Sequence, residues 1–371
     1  MSSGSPSGAG RAPTGVSDTS GPRLSVLLSF PRLEATTNPY NKQLVTCLTP
    51  YVDTELFSWR RALGGSYDVL HVHWPERLLR GRNRFTALAR LLLFLALMIS
   101  TGLRRQAIVR TLHNVEPHER PSAGERLATT VLARRTAVAI RLNPHTPMPP
   151  ATPTRTVLHG HYRDWVPGLA SERPQPVPGR ILFFGIIRSF KGLDALVDAF
   201  RGLTDPTVTL HIAGRVVDHD SATLVTAAVA ADRRITARTE FVPDSELVAE
   251  IAASQLVVLP YRAMHNSGAA LLALSIGRAV LVPDNEVTRS LADEVGADWV
   301  LRFEAPVDSA ALERALTTTA ASTGGSPDLS GREWADAALE HAAAYRDAAD
   351  SVRAGSARLR RRAGSPAPRA Q

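Results

Sequence analysis

Cysteine is all but missing from this chain: Cys47 stands alone among 371 residues. A single thiol excludes an internal disulfide, which fits a reducing cytoplasm. Lysine is almost as scarce. Of 43 basic residues only Lys42 and Lys191 are lysine, so arginine supplies nearly all of the positive charge. The opening stretch MSSGSPSGAGRAPTGVSDTSG has no apolar run of the kind a secretory signal needs, and it reads as a disordered leader. Zinc-finger spacing, an aromatic RNA-binding signature and a helix-turn-helix pattern are all wanting. The formal charge of +8 and the isoelectric point near 10.3 therefore do not argue for nucleic acid as a partner. They suit an anionic lipid surface or a basic cleft for phosphorylated substrates, with part of the excess lying in an arginine-rich tail.

What is present is an ordinary folded composition, 44% hydrophobic and 21% charged, at a length that allows two full cores. From Arg23 onward short apolar runs alternate with helical patterns. RLSVLLSF, YDVLHVHW, AIVRTLH and AVAIRL read as buried strands. After the proline-rich VPGLASERPQPVPG the pattern restarts with RILFFGII, TVTLHIAG, RITARTEFV, QLVVLP, AVLVPD and DWVLRF. Strands alternating with helices predict parallel sheets covered on both faces. The expected class is α/β, with two Rossmann-like parallel-sheet domains. The expected division is a leader at 1–22, a first domain at 23–170, a linker at 171–179 and a second domain at 180–330. A long helix at 331–355 and a disordered basic tail at 356–371 complete it.

One helix stands apart. FTALARLLLFLALMISTGL (85–103) is nearly apolar all round, interrupted by Arg90 and flanked by Arg80, Arg82, Arg84, Arg104 and Arg105. Its length would just reach across a bilayer. It lies between strands of one sheet, however, and spanning would put those strands on opposite sides of a membrane. Two readings stay open: a buried core helix, or a helix docked on the membrane surface with its arginines facing lipid phosphates.

In parallel α/β sheets the working groups sit at the carboxyl ends of strands. Those ends read HVHWPE (71–76), LHNVEPHE (112–119) and LHGHYRDW (158–165) in the first half. In the second half they read GIIRSFKG (185–192), AGRVVDHD (213–220) and PYRAMHNSG (260–268). Histidines gather in one half, cations and small residues in the other. That division suggests acceptor and proton handling on one side and phosphate handling on the other. Lys191 lies near a helix N-terminus, where free amides and the helix dipole attract anions. Arg188 adds a forked donor to the compact lysine charge, a pair suited to a diphosphate; the plainer reading is two solvated cations flanking a turn. Ser267 and Gly268 open another helix. The pairs HVH and HGH place histidines on one strand face, and with His113 they could form a zinc or dinuclear hydrolase site, although partner carboxylates are hard to assign. DHD (218–220) resembles a metal-binding D-x-D, but its place after a glycine turn predicts a helix cap.

Taken in order, HWPE, TLHN with PHE, LHGHYRDW, RSFKG and LPYRAMHNSG resemble the GDP-mannose:glycolipid 4-β-mannosyltransferases of bacterial exopolysaccharide assembly, the xanthan type. R-x-x-K-G after the first strand of the second domain also looks like GT-B glycosyltransferases at large. The resemblance spans residues 23 to 350. It implies a GT-B fold with a C-terminal crossover helix, and an enzyme peripheral on the cytoplasmic face of the membrane, an anionic surface. It further implies transfer of mannose from GDP-mannose to a polyprenyl-diphosphate-linked oligosaccharide, with no cofactor or metal. Arg188 and Lys191 match the family's diphosphate contacts. Tyr261, Arg262, Asn266, Ser267 and Gly268 match the donor-facing loop, and His159, Gly160 and His161 shape the cleft or contact the sugar. The E-x7-E pattern of retaining GT-B enzymes falls here on Met264 and Leu272, leaving Glu286 as the available ribose ligand. A β-mannoside from an α-linked donor requires inversion and a general base. Candidates are Glu119, His118, His113 and Glu76, with Glu119 first among them. The rivals are a retaining UDP-sugar transferase, a sugar-nucleotide epimerase, a metallohydrolase and a membrane-binding protein without turnover.

Overall fold

The apolar runs anticipated as strands are strands. The computed structural model describes residues 23–34, 38–113, 121–148, 151–165, 175–321 and 324–363. A first sheet holds β1 (Ser25–Leu28), β2 (Asp53–Leu56), β3 (Val69–Val72), β4 (Ala107–Leu112), β5 (Val138–Arg141) and β6 (Thr154–Thr156). A second holds β7 (Arg180–Phe184), β8 (Thr209–Ala213), β9 (Ile235–Arg238), β10 (Leu256–Val258), β11 (Ala279–Pro283) and β12 (Val300–Phe303). The orders are β2-β1-β3-β4-β5-β6 and β12-β11-β10-β7-β8-β9, and every pairing is parallel. Central strands are buried because helices cover both faces: β3, β10 and β11 are buried at every residue, His71 of β3 included. β2 (DTEL) and β6 (TRT) escape a reading based on apolar runs, since edge strands need no such run.

Strand order reverses between β1 and β3 in one sheet and between β7 and β10 in the other. The crevice outside the carboxyl ends at such a point is where open α/β sheets bind ligands. The chain crosses between the units twice, and the crossings are tied together. The amide of His161 donates to the Arg332 carbonyl (3.1 Å), and the Trp334 indole donates to the His161 carbonyl (2.6 Å). The final helix, Trp334–Ala363, then packs on the first unit, where Trp334, Ala344 and Tyr345 share a core with Val26, Leu28, Val109 and Ile140. This is the anticipated crossover helix. It runs to Ala363, through the start of the segment expected to be a disordered tail, because SARLRRRA is rich in strong helix formers. The leader and residues 364–371 lie outside the described residues.

The apolar helix Arg84–Leu103 is neither fully core nor fully free. Asn83 caps it in a reciprocal pair with Thr86. Phe94, Leu97 and Met98 are buried with β3, β4 and the helix Ala123–Arg135. On the opposite face Phe85, Leu88, Leu92, Ile99 and Leu103 are 71%, 54%, 59%, 63% and 81% exposed. Leu127 of the neighbouring helix, at 53%, extends the same surface. Arg90, which interrupts the apolar sequence, folds back to donate to the Arg80 carbonyl. Arg80 itself is drawn to Glu125 (2.9 Å).

Candidate active site

On the second unit, the segment after β7 is built by glycine. Gly192 adopts φ +71°, and a Cβ there would stand 2.0 Å from the Pro260 carbonyl oxygen, so RSFKG admits no other residue at its end. This close approach pins the 3-10 turn Ser189–Lys191 against the end of β10. Lys191 Nζ consequently lies 3.3 Å from the Tyr261 hydroxyl and 4.8 Å from the centroid of its ring, at the switch point between β7 and β10. Arg188 starts the same turn, with its guanidinium 6.0 Å over the Phe190 ring. Arg262 turns outward to Asp194 at 2.7 Å. Asp218 accepts from the amides of Ser221 (2.9 Å) and Ser189 (3.3 Å), so it caps the helix His219–Ala231, as its position after a glycine turn predicts. Those amides, with Arg188 nearby, hold its carboxyl below the usual range.

Ser267 caps the helix Gly268–Ser275 by accepting from the Ala270 amide at 3.2 Å. A Cβ on Gly268 would lie 2.9 Å from the Tyr162 hydroxyl and 3.8 Å from His159 Nε2. The helix Gly268–Ser275 therefore begins directly against the LHGHYRDW segment. Met264 and Leu272, where retaining enzymes carry glutamates, are buried in the apolar core of this unit. Glu286 opens the helix after β11, and its carboxylate stands 3.6 Å from His145 Nδ1 of the first unit.

The first unit contributes a cluster of rings. Asn38 caps the helix Pro39–Leu48, which follows β1, and this places Tyr40 at the strand ends. The Tyr40 ring meets His159 (4.8 Å), His113 (5.3 Å), Trp334 (5.5 Å) and His73 (6.0 Å). His113 stacks on Trp74 with centroids 4.0 Å apart, and its Nε2 is 3.0 Å from His73 Nδ1. His71 spends both nitrogens, each at 2.8 Å, on the hydroxyls of Thr111 and Tyr345. Burial, reinforced by neighbouring imidazoles, holds His71 and His113 well below the ordinary histidine range. It pushes His73 down to about 3, and burial, opposed by the hydrogen bond to the Gly160 carbonyl and helped by the Arg332 charge, brings His159 to about 4. These histidines are neutral at pH 7 and act as hydrogen-bonding surfaces, not as cations.

The pairs HVH and HGH do not converge on one metal. His159 donates Nδ1–H to the Gly160 carbonyl (2.9 Å), while His161 turns to Glu333 at 3.1 Å. Among the described residues, the group compact enough to share an ion is His161, Asp164 and Glu333, at the crossings. There His161 Nδ1 accepts from the Arg163 amide (3.3 Å), which leaves Nε2–H to donate to Glu333 as an ordinary hydrogen bond. Gly160 packs against the Trp334 indole, where a Cβ would come within 2.4 Å. Glu76 lies in the first turn of the helix Pro75–Leu79, and its charge offsets the burial of the Arg110 guanidinium. His118 and Glu119 lie outside the described residues.

Several site residues carry no sequence motif we could read. Tyr40, Trp334 and Tyr345 reach the site through topology. Asn143 and Thr146 were legible in principle: LNPHT closes β5 as the other polar segments close their strands. Asn143 Nδ2 donates to Asn266 Oδ1 at 2.8 Å, and Asn266 Nδ2 donates to the His113 carbonyl at 2.8 Å, so the two units touch at the candidate site.

Comparison with known proteins fits this geometry. A family model described as "Glycosyl transferases group 1" matches residues 178–321. A GDP-mannose:glycolipid 4-beta-D-mannosyltransferase of Xanthomonas campestris pv. campestris is 43% identical over 328 residues, 88% of this chain and 93% of that protein. The crystal structure of HepE from Anabaena with UDP and glucose superposes with a TM-score of 0.57 at 14% identity, covering 91% of this chain and 99% of that one. Sucrose-phosphate synthase from Thermosynechococcus elongatus gives 0.55 at 14%, covering 92% and 99%. These two structures share the two-sheet GT-B fold. The chain itself belongs to the glycosyltransferase family of the GDP-mannose:glycolipid 4-beta-D-mannosyltransferases.

Proposed function

We propose that this glycosyltransferase moves mannose from GDP-mannose to a polyprenyl-diphosphate-linked oligosaccharide at the cytoplasmic membrane face, with inversion at the anomeric carbon. The observation that supports it most is the position of Lys191 at the β7/β10 switch point, on the unit whose loop 260–268 reaches the His113 carbonyl through Asn266. The donor diphosphate lies against Lys191, Arg188 and the helix start at Ser267–Gly268. As the bond from C1 to the phosphate oxygen breaks, GDP leaves with the bonding pair and its negative charge grows. A fixed ammonium stabilises that charge more in the transition state than in the ground state. Tyr261 aims the ammonium through its hydroxyl and ring face. With Met264 and Leu272 in the core, the ribose hydroxyls fall to Glu286.

The acceptor hydroxyl attacks C1 from the face opposite GDP and gives its proton to a base. His113 is a poor receiver, because each unit by which burial lowers its pKa removes about 1.4 kcal/mol of proton affinity. Glu76 already serves Arg110. We assign the base to Glu119, the first of the sequence candidates and a carboxylate in the connection after β4; His113 orients the acceptor from its stack on Trp74.

The exposed face of the helix Arg84–Leu103 docks on lipid. Phe85, Leu88, Leu92, Ile99, Leu103 and Leu127 enter the acyl boundary, with Arg82, Arg84 and Arg105, all exposed, beside the headgroups. This brings the first unit to an acceptor whose tail stays in the bilayer. Incubating purified protein and membranes with labelled GDP- and UDP-sugars tests the reading. GDP-mannose should label the lipid fraction; labelling from UDP-sugars alone, or donor conversion without acceptor, contradicts it.

A further inference from the structure

Asn143 follows β5, is buried, and is committed at every hydrogen-bonding atom the structure assigns. Its Oδ1 accepts from the His145 amide at 2.8 Å, which fixes the orientation of its carboxamide. The Nδ2 group therefore faces the second unit, 2.8 Å from Asn266 Oδ1 and 3.2 Å from His265 Nε2. The Thr146 hydroxyl lies 2.8 Å from the same His265 nitrogen. Asn266 passes the connection on, donating Nδ2–H to the His113 carbonyl at 2.8 Å. Since His265 Nε2 receives these donors, its own proton resides on Nδ1. A continuous hydrogen-bonded path thus runs from the end of β5, through the loop after β10, to the end of β4. From behind, Asn285 Nδ2 holds the same loop by the Met264 carbonyl at 3.0 Å.

The path joins units that have separate cores, and it does so through neutral groups that water can solvate when parted. Bonds of that kind are individually weak, as a cleft that must admit donor and release GDP requires. We propose that Asn143 is a positioning residue which, together with Thr146, clamps the loop 260–268 of the second unit against the first, closing the cleft with the Lys191–Tyr261 pair and the Ser267–Gly268 helix start brought to the histidine wall. The loop is a donor-binding loop only on the reading given above; the clamp itself is a statement about closure. Asn266 is then a link between the units, its amide used at both ends, and Asp at that position would lose the bond to His113.

The test has a kinetic and a structural arm. Asn143→Ala and Thr146→Val, both on the first unit, should keep GDP binding, while kcat with GDP-mannose falls by roughly 10- to 100-fold for Asn143→Ala and for Asn266→Ala, the scale of misplacing a reacting group by about an ångström. The double variant Asn143→Ala/Asn266→Ala should be no worse than the poorer single, because both break one path. For the structural arm, spin labels at Thr130→Cys and Thr226→Cys, exposed on opposite units, report the distance between them in a Cys47→Ala background. With GDP present, the otherwise unaltered protein should give one narrow distribution, and Asn143→Ala and Thr146→Val broader, longer ones. Thr146→Val is nearly isosteric and keeps the test available if Asn143→Ala does not fold. Distances unchanged in the variants, or additive losses in the double variant, would overturn the clamp. The distance arm needs no turnover, so its result stands apart from the identity of the sugar donor.

Discussion

Lys191 stands 3.3 Å from the Tyr261 hydroxyl and beside Gly185 at the end of β7, where no larger residue crowds its ammonium. The second lysine, Lys42, sits on the first unit near enough to Asp244 of the second to oppose the rise that burial imposes on that carboxyl. A chain that writes its cations as arginine thus keeps one lysine at the β7/β10 switch point and the other near an acidic residue of the opposite unit. Replacing Lys191 or Arg188 by alanine should cost roughly 2–4 kcal/mol in kcat/KM, typical for a preorganised donor to a developing charge. Arg188→Lys should restore only part, since the forked contact is lost. Near wild-type turnover in both alanine variants would remove them from the site. Glu119→Gln should lower kcat by about 10²- to 10⁴-fold with little change in GDP affinity. The buried histidines carry a separate consequence. His73, His159 and His341 are held at about 3, 4 and 4, below the unfolded value of 6.5, so the unfolded chain binds more protons as pH falls. Their stabilising contribution is complete above about pH 6.5 and is lost progressively down to about pH 3–4, each worth on the order of a few kcal/mol. Melting temperature followed from pH 7.5 to pH 4 should fall steeply across this window; a flat profile would show that these rings are not buried neutral.

At the scale of elements, the helix Arg84–Leu103 marks the limit of what the sequence conveys. Phe94 and Met98 are buried, whereas Phe85, Leu88 and Leu92 are exposed, yet all are equally apolar in the chain. Periodicity cannot distinguish a face turned to the sheet from a face turned outward when both are hydrophobic. The structure also trims the arginine set: Arg80 pairs with Glu125 and Arg104 donates to the Gly65 carbonyl at 2.9 Å, whereas Arg82, Arg84 and Arg105 are exposed and are the ones proposed to meet lipid. Changing those three to glutamine should weaken binding to anionic vesicles by about 1 kcal/mol per residue. Raised salt should mimic the change, because exposed charges are screened. Phe85→Ser with Leu88→Ser should weaken binding to neutral and anionic vesicles alike while the melting temperature holds. Flotation that ignores all of these substitutions would rule out docking by this face. Strands were more readable than this helix. β10 and β11 announce themselves as apolar runs because both of their faces are covered, whereas β2 and β6 offer only DTEL and TRT at the sheet edges.

Across the whole molecule, the two parallel sheets were legible because strand and helix patterns recur in two blocks separated by one proline-rich stretch, and the returning helix because its stretch reads as one long helical pattern. The site was legible only where a strand end carries its own polar signature, as in RSFKG, TLHN and LHGHYRDW. Tyr40, Asn143 and Trp334 join it from distant stretches, and what brings them there is sheet order and the crossing at Arg332–Trp334. The replacement of both expected glutamates by Met264 and Leu272 was visible in the sequence, but the burial of both in the apolar core of the second unit needed the packing. Inversion is the central mechanistic claim, and the anomeric configuration of the first product tests it most directly. Mannose transferred from GDP-α-mannose to the lipid-linked acceptor, released intact and examined by NMR at C1, should be β-linked and sensitive to β-mannosidase. An α-linked mannoside would contradict direct displacement assisted by a base in the first unit.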